Sequence, residues 1–123
     1  MPKTALELTL YERQAYYPSR NLDSLQDEAR WTEAWKIVYK IASLLRDRYR
    51  TKQIIVFGSL INKERFTRYS DIDLAISGLA FKQFYQAVDE IELLARDFKV
   101  DLVNLDRCRQ AIAERINREG LVI

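Results

Sequence analysis

IIVFGSLINKERFTRYSDIDLAI, residues 54–76, raises the question on which the chain turns. A short apolar run stops at Gly58-Ser59, and a second run carries Asp71 and Asp73 among its hydrophobic residues. A half-buried strand spends its inward face on apolar side chains, and a buried carboxylate without a partner is costly. Residues two apart on a strand point to the same side, so these two carboxylates share a face. At 4 Å and an effective dielectric near 20 they repel by roughly 4 kcal/mol. A positive species is expected between them.

The neighbouring residues say what that species is. Ile72, Leu74 and Ile76 alternate with Asp71, Asp73 and Ala75, so one face packs under a helix and the other offers carboxylates. In "KVDLVNL", residues 99–105, Asp101 shares a face with Val103. If the two strands are neighbours, Asp101 joins the cluster. Three carboxylates with no histidine or cysteine make an oxygen-only site suited to a hard cation such as Mg²⁺. A strand that ends in glycine and feeds a helical turn leaves backbone N–H groups and a hydroxyl pointing outward, which suits an anion. Magnesium carried with a nucleoside triphosphate therefore answers the opening question.

The rest of the chain is consistent with one small domain. Its 123 residues are 48% hydrophobic, enough for a core, and 20 Lys and Arg against 18 Asp and Glu leave a net charge of +2. That balance does not call for nucleic acid and leaves room for a polyphosphate. Histidine is absent and Cys108 is alone, which excludes Ser-His-Asp triads, Cys-His pairs, histidine-ligated metals and intrachain disulfides. No apolar run has the length of a membrane span and no signal peptide is recognised, so a cytoplasmic protein is expected.

Residues 1–22 read as a peripheral segment, with a capping-box pattern at Thr9–Glu12, and residues 23–123 as the domain proper. Asp23 is expected to start a long helix to about Arg50, with Trp31, Ala34, Trp35, Val38, Ile41, Ala42 and Leu45 on one stripe. Strands are expected over 53–57, 71–77 and 99–105, and a short helix over 60–66. A helix over 81–97 would present Phe81, Phe84, Tyr85, Val88, Ile91, Leu94 and Ala95 on one face. Asp106 would cap a last helix that Gly120 stops. This order gives an α/β (α+β) domain, a small mixed sheet flanked by helices.

Gly58-Ser59, a spacer and Asp71-Ile-Asp73, followed by the carboxylate of "VDLVNL", resemble the signature of the DNA-polymerase-β-like nucleotidyltransferase superfamily. The small size and the third carboxylate in "VDLVNL" narrow the resemblance to minimal nucleotidyltransferases, typically the MntA-type antitoxins of HEPN/MNT toxin–antitoxin pairs, and the closing "INREGLVI" also resembles the end of that family. The resemblance covers about residues 53–105, with weaker support over 111–123. The spacer of 11 residues between Ser59 and Asp71 is longer than is usual there, and it lacks a common glycine. The resemblance implies a nucleotidyltransferase-like fold in which Gly58 and Ser59 bind the nucleotide's β- and γ-phosphates. Asp71, Asp73 and Asp101 would be catalytic and would ligate two Mg²⁺ ions, with Asp101 helping to deprotonate the acceptor. ATP would be the substrate, pyrophosphate the leaving group, and a tyrosine of a HEPN ribonuclease toxin the acceptor of AMP.

Each of these residues has a plainer reading as well. Asp101 could pair with Lys99, and Asp106 fits a helix cap better than a fourth ligand. Lys63, Arg65 and Arg68 could touch the triphosphate or form a solvated basic loop. Tyr11, Tyr16 and Tyr17 fit packing of a short N-terminal helix better than a partner surface. Cys108 is expected on the apolar stripe of the last helix. Competing functions are an antitoxin that acts by binding alone and a small-molecule transferase of the aminoglycoside type, for which 123 residues leave little acceptor domain. A template-independent RNA polymerase is a further alternative, but no basic groove with interleaved aromatics is apparent, and nucleic acid is not expected as a direct ligand.

Overall fold

The structure of the chain, a computed structural model, describes residues 18–123. The expected helix at Thr9 and the tyrosines at 11, 16 and 17 lie outside the described residues. Three helices and four strands follow: α1 (Pro18–Tyr49), β1 (Gln53–Phe57), β2 (Ile72–Ser77), α2 (Phe81–Leu94), β3 (Val100–Asn104), α3 (Gln110–Glu119) and β4 (Leu121–Val122). The sheet has the order β3-β2-β1-β4. β2 is antiparallel to β1 and parallel to β3, and β4 pairs antiparallel with the far side of β1. The sheet is mixed, as expected. No helix among the described residues is long and apolar enough to cross a membrane.

Among the described residues the two faces of the sheet are covered unequally, with the thinner cover on the side of the carboxylates. Ile54, Val56, Ile72, Leu74 and Ile76 join Ala34, Val38, Ile41 and Leu45 of α1 and Phe84, Ala87 and Ile91 of α2 in the main core. The other face holds a smaller cluster of Ile55, Ala75 and Ile116, the last supplied by the short α3. The alternation of β2 thus works as expected: its aliphatics go under α1 and α2, while Ala75 goes to the face that α3 covers.

Several element ends depart from expectation. α1 is already helical at Pro18, the first described residue, ahead of the expected start at Asp23. Its expected stripe is buried, with Trp31 and Trp35 packed at its margin. The helix stops where Arg50 takes a left-handed conformation (φ 53°), and the Thr51 N–H and hydroxyl both donate to the Leu45 carbonyl, at 3.2 and 3.0 Å. The face expected over 81–97 holds in part: Phe84, Ile91 and Ala95 are buried and Val88 packs beside them, while Phe81, Tyr85 and Leu94 are exposed and Ala87 is fully buried. The small alanine lets the helix lie close to the sheet, and the larger rings stay at the rim.

α3 starts at Gln110, four residues beyond the expected Asp106 cap. Asp106 instead accepts the Gly78 N–H (2.8 Å) and ties the end of β3 to the end of β2. Cys108 therefore lies in the turn before the helix, half-buried, with its thiol directed at the Leu105 carbonyl (3.8 Å). Gly120 does close α3, through its N–H on the Ile116 carbonyl (2.7 Å). Its lack of a side chain matters for close approach: a Cβ there would meet Ile55 Cγ2 at 2.3 Å.

Candidate functional site

β1 runs out into Gly58, where the chain turns into one 3-10 turn, Gly58–Ile61. Gly58 has φ +75°, a conformation other residues rarely adopt, and a Cβ on it would lie 2.3 Å from Asp73 Oδ2. The glycine is thus required twice, by its backbone and by the carboxylate against it. Ser59 is the second residue of this turn and is half-buried. The short helix expected over 60–66 is replaced by this earlier 3-10 turn and by a loop anchored on Phe66, which is 1% exposed. The Asn62 N–H donates to the Ser59 carbonyl (3.2 Å), and the Phe66 N–H donates to the Asn62 carbonyl (3.2 Å). The long spacer is therefore an ordered loop that returns the chain to β2.

Asp71 immediately precedes β2, and the Ile72 N–H donates to the Lys99 carbonyl (2.9 Å), which starts the parallel pairing with β3. In that pairing Asp73 stands opposite Asp101, and in the antiparallel pairing it stands opposite Phe57. The expected neighbourhood of β2 and β3 holds, and Asp71, Asp73, Asp101 and Gly58 come together at one end of the sheet. Lys99 reaches both outer carboxylates, at 4.0 Å from Asp71 Oδ2 and 3.9 Å from Asp101 Oδ1. Burial, then the charges of Asp101 and Asp71 and a hydrogen bond with Asp101, push Asp73 up from 3.8 to about 6, with Lys99 opposing.

These residues suit a divalent cation that is held jointly with a ligand. The donors are all carboxylate oxygens, and the charge crowding on Asp73 is of the kind a cation relieves. Among the described residues no three His, Cys, Asp or Glu side chains converge tightly enough to cage a metal by themselves. Mg²⁺ seldom needs such a cage, because it keeps several waters and takes one or two carboxylates together with substrate phosphates.

Beside the carboxylates lies a cleft of about 590 Å³. Gly58, Ile61 and Arg65 line it from the turn and loop, and Ile112, Arg115, Ile116 and Glu119 from α3. Arg115 Nε donates to Glu119 Oε2 (3.1 Å) within that lining. Of the three basic loop residues, Arg65 alone lines the cleft. Lys63 pairs with Glu28 (2.8 Å) and lies over the Trp31 ring, while Arg68 pairs with Asp27 (3.6 Å). The α3 residues were not singled out in the sequence. Their signal is the spacing 112, 115, 116 and 119, which marks one face of a helix without saying what it faces.

A family model described as Polymerase beta, Nucleotidyltransferase matches residues 39–123, from the middle of α1 to the last residue. Among solved structures, a chain of the toxin–antitoxin MntA–HepT is 25% identical with a TM-score of 0.54, covering 72% of this chain and 69% of that one. A tri-AMPylated Shewanella oneidensis HEPN toxin in complex with MNT antitoxin contains a chain 27% identical, TM-score 0.55, with coverage of 72% and 70%. A toxin–antitoxin structure with AMP-PNP contains another at 27% identity and TM-score 0.57, with coverage of 68% and 69%. No curated protein matches the sequence.

Proposed function

The chain belongs to the polymerase beta nucleotidyltransferase family, and we propose that it is an antitoxin that transfers AMP from ATP to a tyrosine hydroxyl of a HEPN-type toxin. One observation carries the reading. Asp73 and Asp101 are register partners on adjacent strands, and Gly58 abuts the Asp73 carboxylate, so an oxygen-donor cluster adjoins a turn suited to phosphate. The likeness to a chain from a complex with a tri-AMPylated HEPN toxin supports AMP as the group moved. The likeness to a complex with AMP-PNP supports ATP as its source. A cytoplasmic location accords with that substrate.

Gly58 and Ser59 bind the β- and γ-phosphates through backbone N–H groups and the hydroxyl. The cleft under α3 takes the nucleoside against Ile61, Ile112 and Ile116, and Arg65 and Arg115 offer guanidinium groups for the phosphates. Asp71, Asp73 and Asp101 hold Mg²⁺, two ions in the full site. When bound, Mg²⁺ neutralises charge on the attacking and leaving oxygens. Asp101, about half exposed, is open to the acceptor side and takes the proton of the incoming hydroxyl. The acceptor oxygen bonds to the α-phosphorus, the bond from α-phosphorus to the bridging oxygen breaks, and pyrophosphate leaves. Holding both reactants in line supplies much of the remaining rate.

The test is the intact mass of a HEPN-type protein encoded beside this one after incubation with this protein, Mg²⁺ and ATP. A gain of one or more AMP units, absent with Asp71→Asn/Asp73→Asn and located on tyrosine by fragmentation, is the expected result. A stable complex with no mass gain would overturn transfer and leave an antitoxin that acts by binding.

A further inference from the structure

Lys99 is placed differently from Lys63 of the loop, which pairs with Glu28. Its backbone is fixed where β2 and β3 begin to pair, through its carbonyl on the Ile72 N–H at 2.9 Å. Its side chain is 72% exposed, and its ammonium stands within 4.0 Å of Asp71 and 3.9 Å of Asp101. One cation thus bridges the two carboxylates that flank Asp73. A lysine suits a removable bridge, since its ammonium is a compact charge on a flexible four-carbon stem. At these distances, and with this exposure, the pairs are weak enough to be exchanged for another cation. The same oxygens are the ones a divalent ion would need.

We infer that Lys99 is the resident counter-ion of the carboxylate cluster in the metal-free protein, and that a divalent ion must displace its ammonium to bind. The inference rests on the proposed transfer centre and adds a competitor that sets its metal affinity. It also explains how three carboxylates are tolerated at one sheet end during folding, before any metal arrives. Lys99 is a positioning residue in this sense: it holds Asp71 and Asp101 toward each other and yields them to the metal.

The test is Mn²⁺ binding without nucleotide, followed by the electron paramagnetic resonance of free Mn²⁺. The proteins are wild type, Lys99→Met, Lys99→Arg, Lys82→Met as a lysine away from the site, and Asp71→Asn/Asp73→Asn. Loss of an exposed ion pair alters affinity by up to about five-fold. Lys99→Met is therefore expected to bind Mn²⁺ roughly two- to five-fold tighter, with Lys99→Arg and Lys82→Met near wild type. In chelator, Lys99→Met is also expected to melt below wild type and to gain more on adding Mg²⁺, a readout independent of activity. Binding by Lys99→Met equal to or weaker than wild type, with wild type still above the double variant, would overturn the counter-ion alone. Equal binding by wild type and the double variant would mean that the carboxylates take no metal without nucleotide, and would overturn Lys99 as its competitor while leaving the transfer centre to the mass test.

Discussion

Asp73 sits where its own charge is disfavoured, and the consequences are measurable at that single residue. Its folded value of about 6 stands above the ordinary 3.8, so between these values the folded protein binds more protons than the unfolded chain. The metal-free fold should therefore lose stability as pH rises through this window, and by pH 7 the loss should be complete. The full shift corresponds to roughly 3 kcal/mol; with Asp73 only half-buried, solvent screening reduces it to about 1 kcal/mol. Thermal melts in chelator at pH 5 and pH 7.5 check this, after subtraction of the same difference for Asp73→Asn. That variant should be about 1 kcal/mol more stable than wild type at pH 7.5 and inactive in transfer, a stability gain bought with function. Gly58→Ala should act oppositely. It forces a side chain into a left-handed backbone and against Asp73 Oδ2, so it should destabilise by about 1–3 kcal/mol and lower transfer at least about a hundred-fold.

At the scale of elements, what could be read in the sequence depended on whether the signal was local. The alternation within β2 is local, and its facing was legible, carboxylates included. The turn at Gly58 was legible as a turn, but its contact with Asp73 was not, because 14 residues lie between them in the chain. Asp106 carries a capping signal, yet its carboxylate serves Gly78 across the sheet end, so α3 starts later. In α2 the large side chains marked Phe84 and Ile91 correctly, but packing against the sheet added the small Ala87 and left Phe81, Tyr85 and Leu94 at the rim. β4 was missed because two residues carry no period, and only pairing with Ile55 and Val56 makes them a strand. Arg50 offers a test at this scale. With φ 53° at the end of α1, Arg50→Gly should stabilise the fold by about 0.5–1 kcal/mol in denaturant unfolding, with transfer unchanged.

Over the whole molecule, the unequal covering of the sheet separates stability from function. The core under α1 and α2 holds most of the large buried side chains, and Arg48 and Tyr49 of α1 reinforce it through Glu90 of α2, with the Arg48 contact at 2.8 Å. Among the described residues, the face that bears the carboxylates is closed by α3 and its small cluster around Ile116. Leu74→Ala should therefore cost about 2–5 kcal/mol and speed amide exchange throughout the chain. Ile116→Ala should raise exchange chiefly over residues 110–123 and weaken ATP binding, because α3 is also a wall of the cleft. The domain in this view joins a thickly packed half under α1 and α2 to a thinner half under α3, which carries the carboxylates and would admit the nucleotide.

The central claim is that one sheet end holds metal and triphosphate together, and anomalous diffraction from crystals grown with Mn²⁺ and AMP-PNP tests it directly. The expected result is manganese density within coordination distance of Asp71, Asp73 and Asp101, with the β- and γ-phosphates against Gly58 and Ser59. Triphosphate bound elsewhere, or manganese absent from these three carboxylates while the nucleotide is present, would contradict the account.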